Sequence, residues 1–394
     1  MKTILKISLS TLILIAMMLA SETSVSQNYV YNCNNSLGKK QYKYSDAFTN
    51  FDIQVKGEIE VNNDDTGIKS ISNGGYLKFS KKTFGNKRSI LIESDSQGRL
   101  HYEYYEGRSE VPFDPEGRKW LAEVLIEIIH MTGIDAEGRT KRIYSKRGVD
   151  GVIEEINTIP SNSVMALYFE ALLDNFKLSD DELLATSSAI ANEMSSNTER
   201  GKLFRNYSEL FLASNTTAIG YFNSLGKLSS NTELGSILAS ISKKIDFDNP
   251  QVTEAYFNSI DKMTSNTERG RVLRYTESTQ ELSDHALTRL LVSVKKLTSN
   301  TEMGIVIRSI KNLDMNNEEI SDAYFNAIDR MTSNTEAGTT LRSLNKNQNL
   351  NDKNYIRMLG SIKEELSSNT EKGSVLRSIK NLNLQNVEVA DAYF

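Results

Sequence analysis

Residues 299–313, with the sequence SNTEMGIVIRSIKNL, contain the motif on which the fold of this chain depends. The tetrapeptide Ser-Asn-Thr-Glu begins at Ser196, Ser230, Ser265, Ser299, Ser333 and Ser368, with successive spacings of 34, 35, 34, 34 and 35 residues. A fixed period of this length indicates an array of structural repeats. Ser161-Asn162-Ser163, which lies 35 residues before the first copy, reads as a degenerate copy that opens the array.

A capping box explains the tetrapeptide without any ligand. Ser followed three residues later by Glu, just before an apolar run, is typical of a helix start. We expect each serine side chain to accept from the amide at the Glu position, and each Glu to reach back to the serine amide. The residues assigned to this capping role are Ser196 and Glu199, Ser230 and Glu233, Ser265 and Glu268, Ser299 and Glu302, Ser333 and Glu336, and Ser368 and Glu371.

Two amphipathic helices are predicted in each repeat. Apolar residues recur at helical spacing after Asn300, and a second run falls at i, i+3, i+4, i+7, i+8 and i+11 from Ile320. One repeat cannot cover both apolar faces, so stacked neighbours bury them in a continuous core. The prediction is a HEAT-like, right-handed-type α-solenoid of helix-pair repeats over residues 161–394. The Trp, Leu-Gly and Tyr pattern of tetratricopeptide repeats, which share this period, is missing.

The last residues, Asp391 to Phe394, repeat Asp322 to Phe325 and stop where the earlier helix continues. We therefore expect either that the chain continues further or that this apolar end docks on another surface.

A glycine follows each Glu of the motif by two residues. Because glycine inside a helix costs about 1 kcal/mol relative to alanine, its repetition needs a compensating reason. Close approach of the neighbouring helix is the simplest one, and a strip of backbone opened for a ligand is the alternative. The six positions are Gly201, Gly235, Gly270, Gly304, Gly338 and Gly373.

Arginines recur at one equivalent position, so stacked repeats would display them as a ladder. The simpler interpretation pairs them with carboxylates that recur in the second helices, namely Glu254, Asp322 and Asp391. The alternative is a concave strip that binds an acidic peptide or a glycan. The candidate binding residues on this basis are Arg205, Arg274, Arg308, Arg342 and Arg377.

The first half of the chain has a different periodicity. Apolar and polar residues alternate from Phe51 to Tyr105, and glycine-containing turns interrupt them, which predicts an antiparallel β domain over residues 27–110. A helical connector is expected over residues 111–160, with the Trp120 helix packed on the sheet. The overall fold class is therefore α+β, a small antiparallel β domain followed by the solenoid.

Composition and motifs argue against several functions. Lys and Arg number 46 and Asp and Glu 51, a formal net charge of -5, so no nucleic acid partner is expected. One Cys and three His leave little for a disulfide framework or a metal site, and we expect no cofactor. His101 and Glu103 are the nearest approach to an acid-base pair, but His-Glu-x-x-His, a phosphate loop and Gly-x-Ser-x-Gly are all missing. We therefore predict that the protein is not an enzyme.

The N-terminal residues 1–26 have the pattern of a secretory signal peptide. Lys2 and Lys6 precede an apolar run from Ile7 to Ala20, which is shorter than a membrane-spanning helix, and small residues follow it. No later segment of the sequence is apolar enough to span a membrane. We expect a periplasmic or extracellular protein.

Several segments of the first half resemble a known family. Asn73-Gly74-Gly75-Tyr76, Pro112 to Glu123, Thr132 to Ala136 and Gly148 to Val152 are similar to the exported C-terminal region of bacterial BlaR-type antirepressor metallopeptidases. The resemblance covers roughly Ile53 to the end of the sequence. The sequence itself contains neither the membrane-spanning portion nor the His-Glu-x-x-His site of that family. It implies a free-standing periplasmic sensor or interaction module without peptidase activity.

Two functions remain open. The first is an exported, non-enzymatic scaffold whose repeats bind a protein or peptide partner. The second is a cell-envelope sensor or adhesin module that binds a glycan or small ligand in one pocket, for which Trp120 and Tyr168 are the candidate residues.

Overall fold

The computed structural model describes residues 28–32, 39–45, 48–311, 313–347 and 350–394. The predicted signal peptide, residues 1–26, lies outside the described residues. The chain divides into two compact units, Met1–Arg142 with Ile159–Val164 and Ile143–Thr158 with Met165–Phe394, which we call the β unit and the helical unit. The predicted α+β class is confirmed, and the expected connector, residues 111–160, is shared between the two units.

The β unit is built on a seven-stranded antiparallel sheet in the order β1-β2-β3-β6-β7-β8-β9, and β4 pairs with β5 in a separate two-stranded sheet. Alternation of apolar and polar residues places one face of each long strand in the core, as in β3, where Phe51, Ile53 and Val55 are buried. The strands are β1 (Asn28–Asn32), β2 (Lys39–Ser45), β3 (Thr49–Lys56), β4 (Ile59–Val61), β5 (Ile68–Ile71), β6 (Tyr76–Thr83), β7 (Asn86–Ser94), β8 (Leu100–Glu106) and β9 (Ser109–Val111).

The helix α1 (Arg118–Thr132) packs on the apolar face of this sheet, as the sequence predicted. Trp120 is buried and stacks on Phe79 of β6 at a ring-centroid distance of 5.5 Å, with Tyr104 of β8 at 5.8 Å. Each such aromatic side chain buries a large apolar area, so this cluster is a major contribution to the stability of the β unit.

The repeat array consists of paired helices, and each helix packs on its counterpart in the neighbouring repeat, which gives a layer of first helices and a layer of second helices. Ser242–Lys244 forms a 3-10 turn, whereas Phe113–Gly117 is an irregular turn interrupted at Asp114, and the helix Ala136–Ile156 is broken at Gly148, where φ is 62°. After α1, the helices are α2 (Ala136–Ile156), α3 (Asn162–Asn175), α4 (Asp180–Glu193), α5 (Asn197–Asn206), α6 (Ser208–Phe211), α7 (Asn215–Leu225), α8 (Asn231–Ile241), α9 (Pro250–Asp261), α10 (Asn266–Thr279), α11 (Asp284–Lys295), α12 (Asn300–Ser309), α13 (Glu318–Asp329), α14 (Asn334–Asn347), α15 (Asp352–Glu365), α16 (Asn369–Ser378) and α17 (Val387–Tyr393).

Tyr-Phe pairs of the second helices fill the space between the two layers. Tyr221 is fully buried, and its hydroxyl donates to the carbonyl of Phe204 in the preceding first helix at 2.9 Å. Tyr256 is equally buried and shares a hydrogen bond of 2.7 Å with Thr276. Burial raises the pKa of both phenols, which therefore stay neutral over the physiological range. Buried hydroxyls with partners avoid the cost of an unsatisfied polar group.

Candidate interaction surface

The serine of each Ser-Asn-Thr-Glu copy caps a first helix. Its hydroxyl accepts from the amide of the Glu three residues later, at 3.2 to 3.4 Å in the six copies. This half of the predicted capping box is confirmed. The reciprocal half is wrong, because the Glu carboxylates of these copies form ion pairs instead. Complete capping boxes occur on second helices, at Ser179 with Glu182 and at Ser214 with Thr217.

The Glu of four of the six copies receives an arginine from the preceding repeat. Arg308 donates to Glu336 at 3.1 Å, and both side chains are only 24% exposed. The predicted pairing with Glu254, Asp322 and Asp391 is wrong, because these arginines lie in the layer of first helices and the nearest carboxylate there belongs to the next cap. The other pairs are Arg205 with Glu233 at 2.7 Å, Arg274 with Glu302 at 2.8 Å and Arg342 with Glu371 at 2.7 Å.

Where the array lacks this arginine, a nearby cation replaces it. Ala239 occupies the arginine position in the second copy, and Glu268 pairs instead with Arg271 of its own helix at 2.7 Å. Glu199, at the first copy, pairs in the same way with Lys202 at 3.0 Å. Each of the six cap carboxylates therefore has a cationic partner. Arg377 makes no ion pair with any described residue.

The recurrent glycine makes room for this ion pair. A Cβ atom at Gly304 would lie 2.5 Å from Glu336 Oε2 and 2.6 Å from a guanidinium nitrogen of Arg308. Close approach is therefore the correct explanation, but the approaching group is the Arg-Glu side-chain pair and not the backbone of the neighbouring helix. Gly201, Gly235, Gly270 and Gly338 have the same relation to the Glu of the next copy.

The asparagine of the motif links consecutive repeats through three hydrogen bonds. Asn300 Nδ2 donates to Thr332 Oγ1 at 3.0 Å, and Asn300 Oδ1 accepts from the amides of Thr332 at 2.7 Å and Ser333 at 3.3 Å. All three contacts recur at Asn231, Asn266 and Asn334, and the two with the first loop residue recur at Asn197. We call this asparagine, the Arg-Glu pair and the glycine together the repeat joint.

The second helices have a joint of their own. Arg289, only 7% exposed, donates to Glu254 and Asp261 at 2.8 Å, and Lys296 donates to Asp261 at 2.6 Å. Burial alone would raise the pKa of Asp261, but the hydrogen bonds from Lys296 and Arg289 outweigh it and lower that pKa. Arg357 repeats the arrangement with Asp329.

Two predicted candidates lie in protein cores. Trp120 is 6% exposed in the β unit, and Tyr168 is fully buried in the helical unit. Neither side chain offers a surface to a ligand in this arrangement. A cavity of about 620 Å³ does occur in the β unit, beside the stacked rings of Tyr44 and Phe51 and the Lys81–Glu127 ion pair of 2.6 Å. It is further lined by Thr49, Glu123, Ile126, His130, Met131 and Pro160.

The exposed and half-buried side chains beside the joints on the first helices differ from repeat to repeat. The threonine of the motif is exposed in every copy, and the positions four and eight residues later form what we call the variable strip. Tyr275 and Ile305, which are 42% and 38% exposed, stand out within it because most other members carry hydroxyl side chains. The members of the strip are Lys202, Asn206, Ser236, Ser240, Arg271, Tyr275, Ile305, Ser309, Thr339, Ser343, Ser374 and Ser378.

Across the residues that the structure describes, no group of three or more His, Cys, Asp or Glu is arranged to hold a metal ion. None of the described helices is both long and apolar enough to cross a membrane.

Comparison of the chain with protein-family models, curated proteins and solved structures finds no match. The resemblance to the exported region of BlaR-type proteins therefore stays a hypothesis.

Proposed function

We propose that the protein is an exported, non-enzymatic scaffold that binds a protein or peptide partner along the variable strip of its first helices. One observation carries the proposal. The asparagine, glutamate and glycine of the motif recur in the repeats and are used in the joints, whereas the side chains of the variable strip, six of which are exposed, differ between repeats. Constant joints preserve the array, and varied exposed side chains supply the differences that recognition of a partner requires.

The center of the strip is the best candidate for the main contact. Tyr275 lies on one first helix, and Ile305 lies on the first helix of the next repeat. Tyrosine is enriched among the residues that dominate binding energy at interfaces. The arginine ladder itself is a weaker candidate, because binding an acidic ligand would require its members to give up the glutamates of the joints.

Substitution within the strip tests this proposal. Tyr275→Ser combined with Ile305→Ser introduces the hydroxyl residue found at equivalent positions of other repeats. In affinity capture from cell-envelope extract, one stoichiometric protein should be retained by the natural chain and lost by this variant. Asn206→Ser with Ser236→Ala, at equivalent exposed positions of the first and second copies and outside the ion pairs of the caps, should retain it. Equal capture by all three proteins would exclude the center of the strip.

A second candidate function, a sensor that binds a glycan or small ligand, is favoured by the cavity in the β unit. Its volume falls in the range of about 300 to 1,000 Å³ that is usual for ligand sites. The lining combines apolar rings with the Lys81–Glu127 pair, which would suit a sugar because a sugar offers both apolar ring faces and hydroxyls. Met131→Trp, which would fill the cavity, should abolish binding of envelope glycan fragments in calorimetry while leaving protein capture unchanged.

A further inference from the structure

The turn between β6 and β7 holds a phenylalanine in a conformation that phenylalanine disfavours. Phe84 and Gly85 have φ angles of 48° and 89°, and Thr83 and Asn86 pair on either side of them. Positive φ at both central residues is the pattern of a type I′ hairpin turn, which prefers Asn-Gly or Asp-Gly. Gly85 fits this preference, whereas a bulky residue in the left-handed region is strained. Strained residues of this kind are found where the side chain serves a function, so we expect a role for the Phe84 ring.

The strained side chain is also exposed to water. Phe84 is 76% exposed, and the ring of Phe48, itself 64% exposed, lies 5.3 Å away between ring centroids. The Phe84 amide donates to the Phe48 carbonyl at 3.0 Å, which keeps the two residues side by side. Two neighbouring aromatic rings in water forgo the stabilisation that burial would give. Such a patch marks a surface that contacts another apolar phase.

Two lysines flank the aromatic pair at the same turn. Lys82 and Lys87 lie directly opposite each other in the ladder, both are exposed, and their side chains form no ion pair with any described residue. Like charges in opposed positions weaken strand pairing. The neighbouring cations differ, because Lys81 pairs with Glu127 and Arg88 with Glu106. The repulsion between Lys82 and Lys87 therefore adds to the backbone strain at Phe84, and it leaves the tip of the turn positively charged.

Exposed aromatic rings with adjacent lysines fit an anionic membrane surface. Aromatic rings settle among lipid headgroups, and each lysine near the surface is attracted by anionic lipid within about one Debye length. We infer that this tip, composed of Phe48, Phe84, Lys82 and Lys87, docks the β unit on a bilayer that contains anionic lipid. The inference is independent of the proposed scaffold function, because it uses none of the residues of the helical unit.

Vesicle co-sedimentation of the full chain tests the inference. The protein should sediment with vesicles of equal parts phosphatidylcholine and phosphatidylglycerol, and much less with phosphatidylcholine alone. Lys82→Thr with Lys87→Thr should weaken binding by about 30-fold at low salt, since each lysine is worth about fivefold. Added salt should weaken binding of the natural chain and have little effect on this variant.

Phe84→Asn separates docking from folding. Asparagine accepts the left-handed conformation, so the variant should melt at the same or a higher temperature while its vesicle affinity falls at least tenfold. Tyr275→Asn, which removes an exposed aromatic ring from the helical unit, should leave vesicle binding unchanged. The inference is overturned if the natural chain ignores anionic vesicles, if it binds both vesicle types equally, or if Phe84→Asn binds as tightly as the natural chain. Binding to dextran sulfate without binding to vesicles would equally overturn it.

Discussion

Replacing Gly304 by alanine should destabilise the helical unit, although the same change inside a helix ordinarily stabilises it. Alanine is favoured over glycine in a helix interior by about 1 kcal/mol. At position 304, however, the new Cβ atom would lie 2.5 Å from the Glu336 carboxylate and 2.6 Å from the Arg308 guanidinium. Moving these groups aside would weaken the Arg308–Glu336 ion pair and the hydrogen bond of 3.0 Å that Arg308 donates to Thr340 Oγ1.

The magnitude follows from two opposing effects. Overpacking costs about 1 to 3 kcal/mol, and part of this cost is loss of a half-buried ion pair. Subtracting the gain in helix propensity leaves a net loss of about 1 kcal/mol for Gly304→Ala. Gly360, in α15, is the matched control, because no atom lies within 4 Å of the Cβ that alanine would add there. Gly360→Ala should stabilise the protein by about 0.5 to 1 kcal/mol.

Urea unfolding followed by circular dichroism measures both changes, and amide hydrogen exchange in Asn334–Asn347 localises the first. In an Arg308→Ala background, the cost of Gly304→Ala should decrease, because one of the two crowding groups is gone. Equal stabilisation by Gly304→Ala and Gly360→Ala would refute the explanation of the recurrent glycines.

Other substitutions examine the remaining parts of the joints. Asn266→Ala removes three hydrogen bonds to the next loop and should cost about 1 to 3 kcal/mol in urea unfolding, because water replaces these bonds only in part. A cost no larger than that of Asn192→Ala on the surface would contradict its linking role. Arg271→Ala leaves Glu268 without its cation and should lower the Tm, and adding Ala239→Arg, which restores the arginine of other repeats, should recover it; failure of the second change to recover Tm would show that the position is not equivalent. The lowered pKa of Asp261 means that its ion pairs stabilise the fold above its unfolded pKa of about 3.9 and are lost as pH falls further. The Tm of Asp261→Asn should therefore fall less steeply than that of the natural chain below about pH 4, and parallel curves would count against this assignment.

Periodicity made the array predictable, because a helix start and an apolar face are both local properties of the sequence. The positions of the six caps and the packing of the Trp120 helix follow from such patterns. The partners of the polar residues do not. Glu336 has the correct spacing for a capping box with Ser333, yet its carboxylate turns to Arg308 in the preceding repeat. That choice depends on the distance between neighbouring helices, which no spacing within one helix reveals.

The candidate sites were harder to predict for the same reason. Trp120 and Tyr168 are large and amphipathic, which suits either a ligand pocket or a core, and only tertiary packing assigns them to cores. The strained tip was missed because Gly85 beside Asn86 marks a turn but does not define its register. With register assigned, Phe84 and not Asn86 occupies the left-handed position.

The two kinds of joint have different periods, and this constrains how such an array can change length during evolution. The asparagine and glutamate of the first-helix joints recur in all six copies and the arginine in five, so deletion or duplication of one repeat would leave complementary side chains in place at most joints. The second-helix joints at Arg289 and Arg357 are two repeats apart, and each needs the aspartate of the unit before it. Loss of a single unit here would bring two arginines or two aspartates together. Between residues 250 and 365, gain or loss by pairs of repeats is therefore the change that the fold accommodates best.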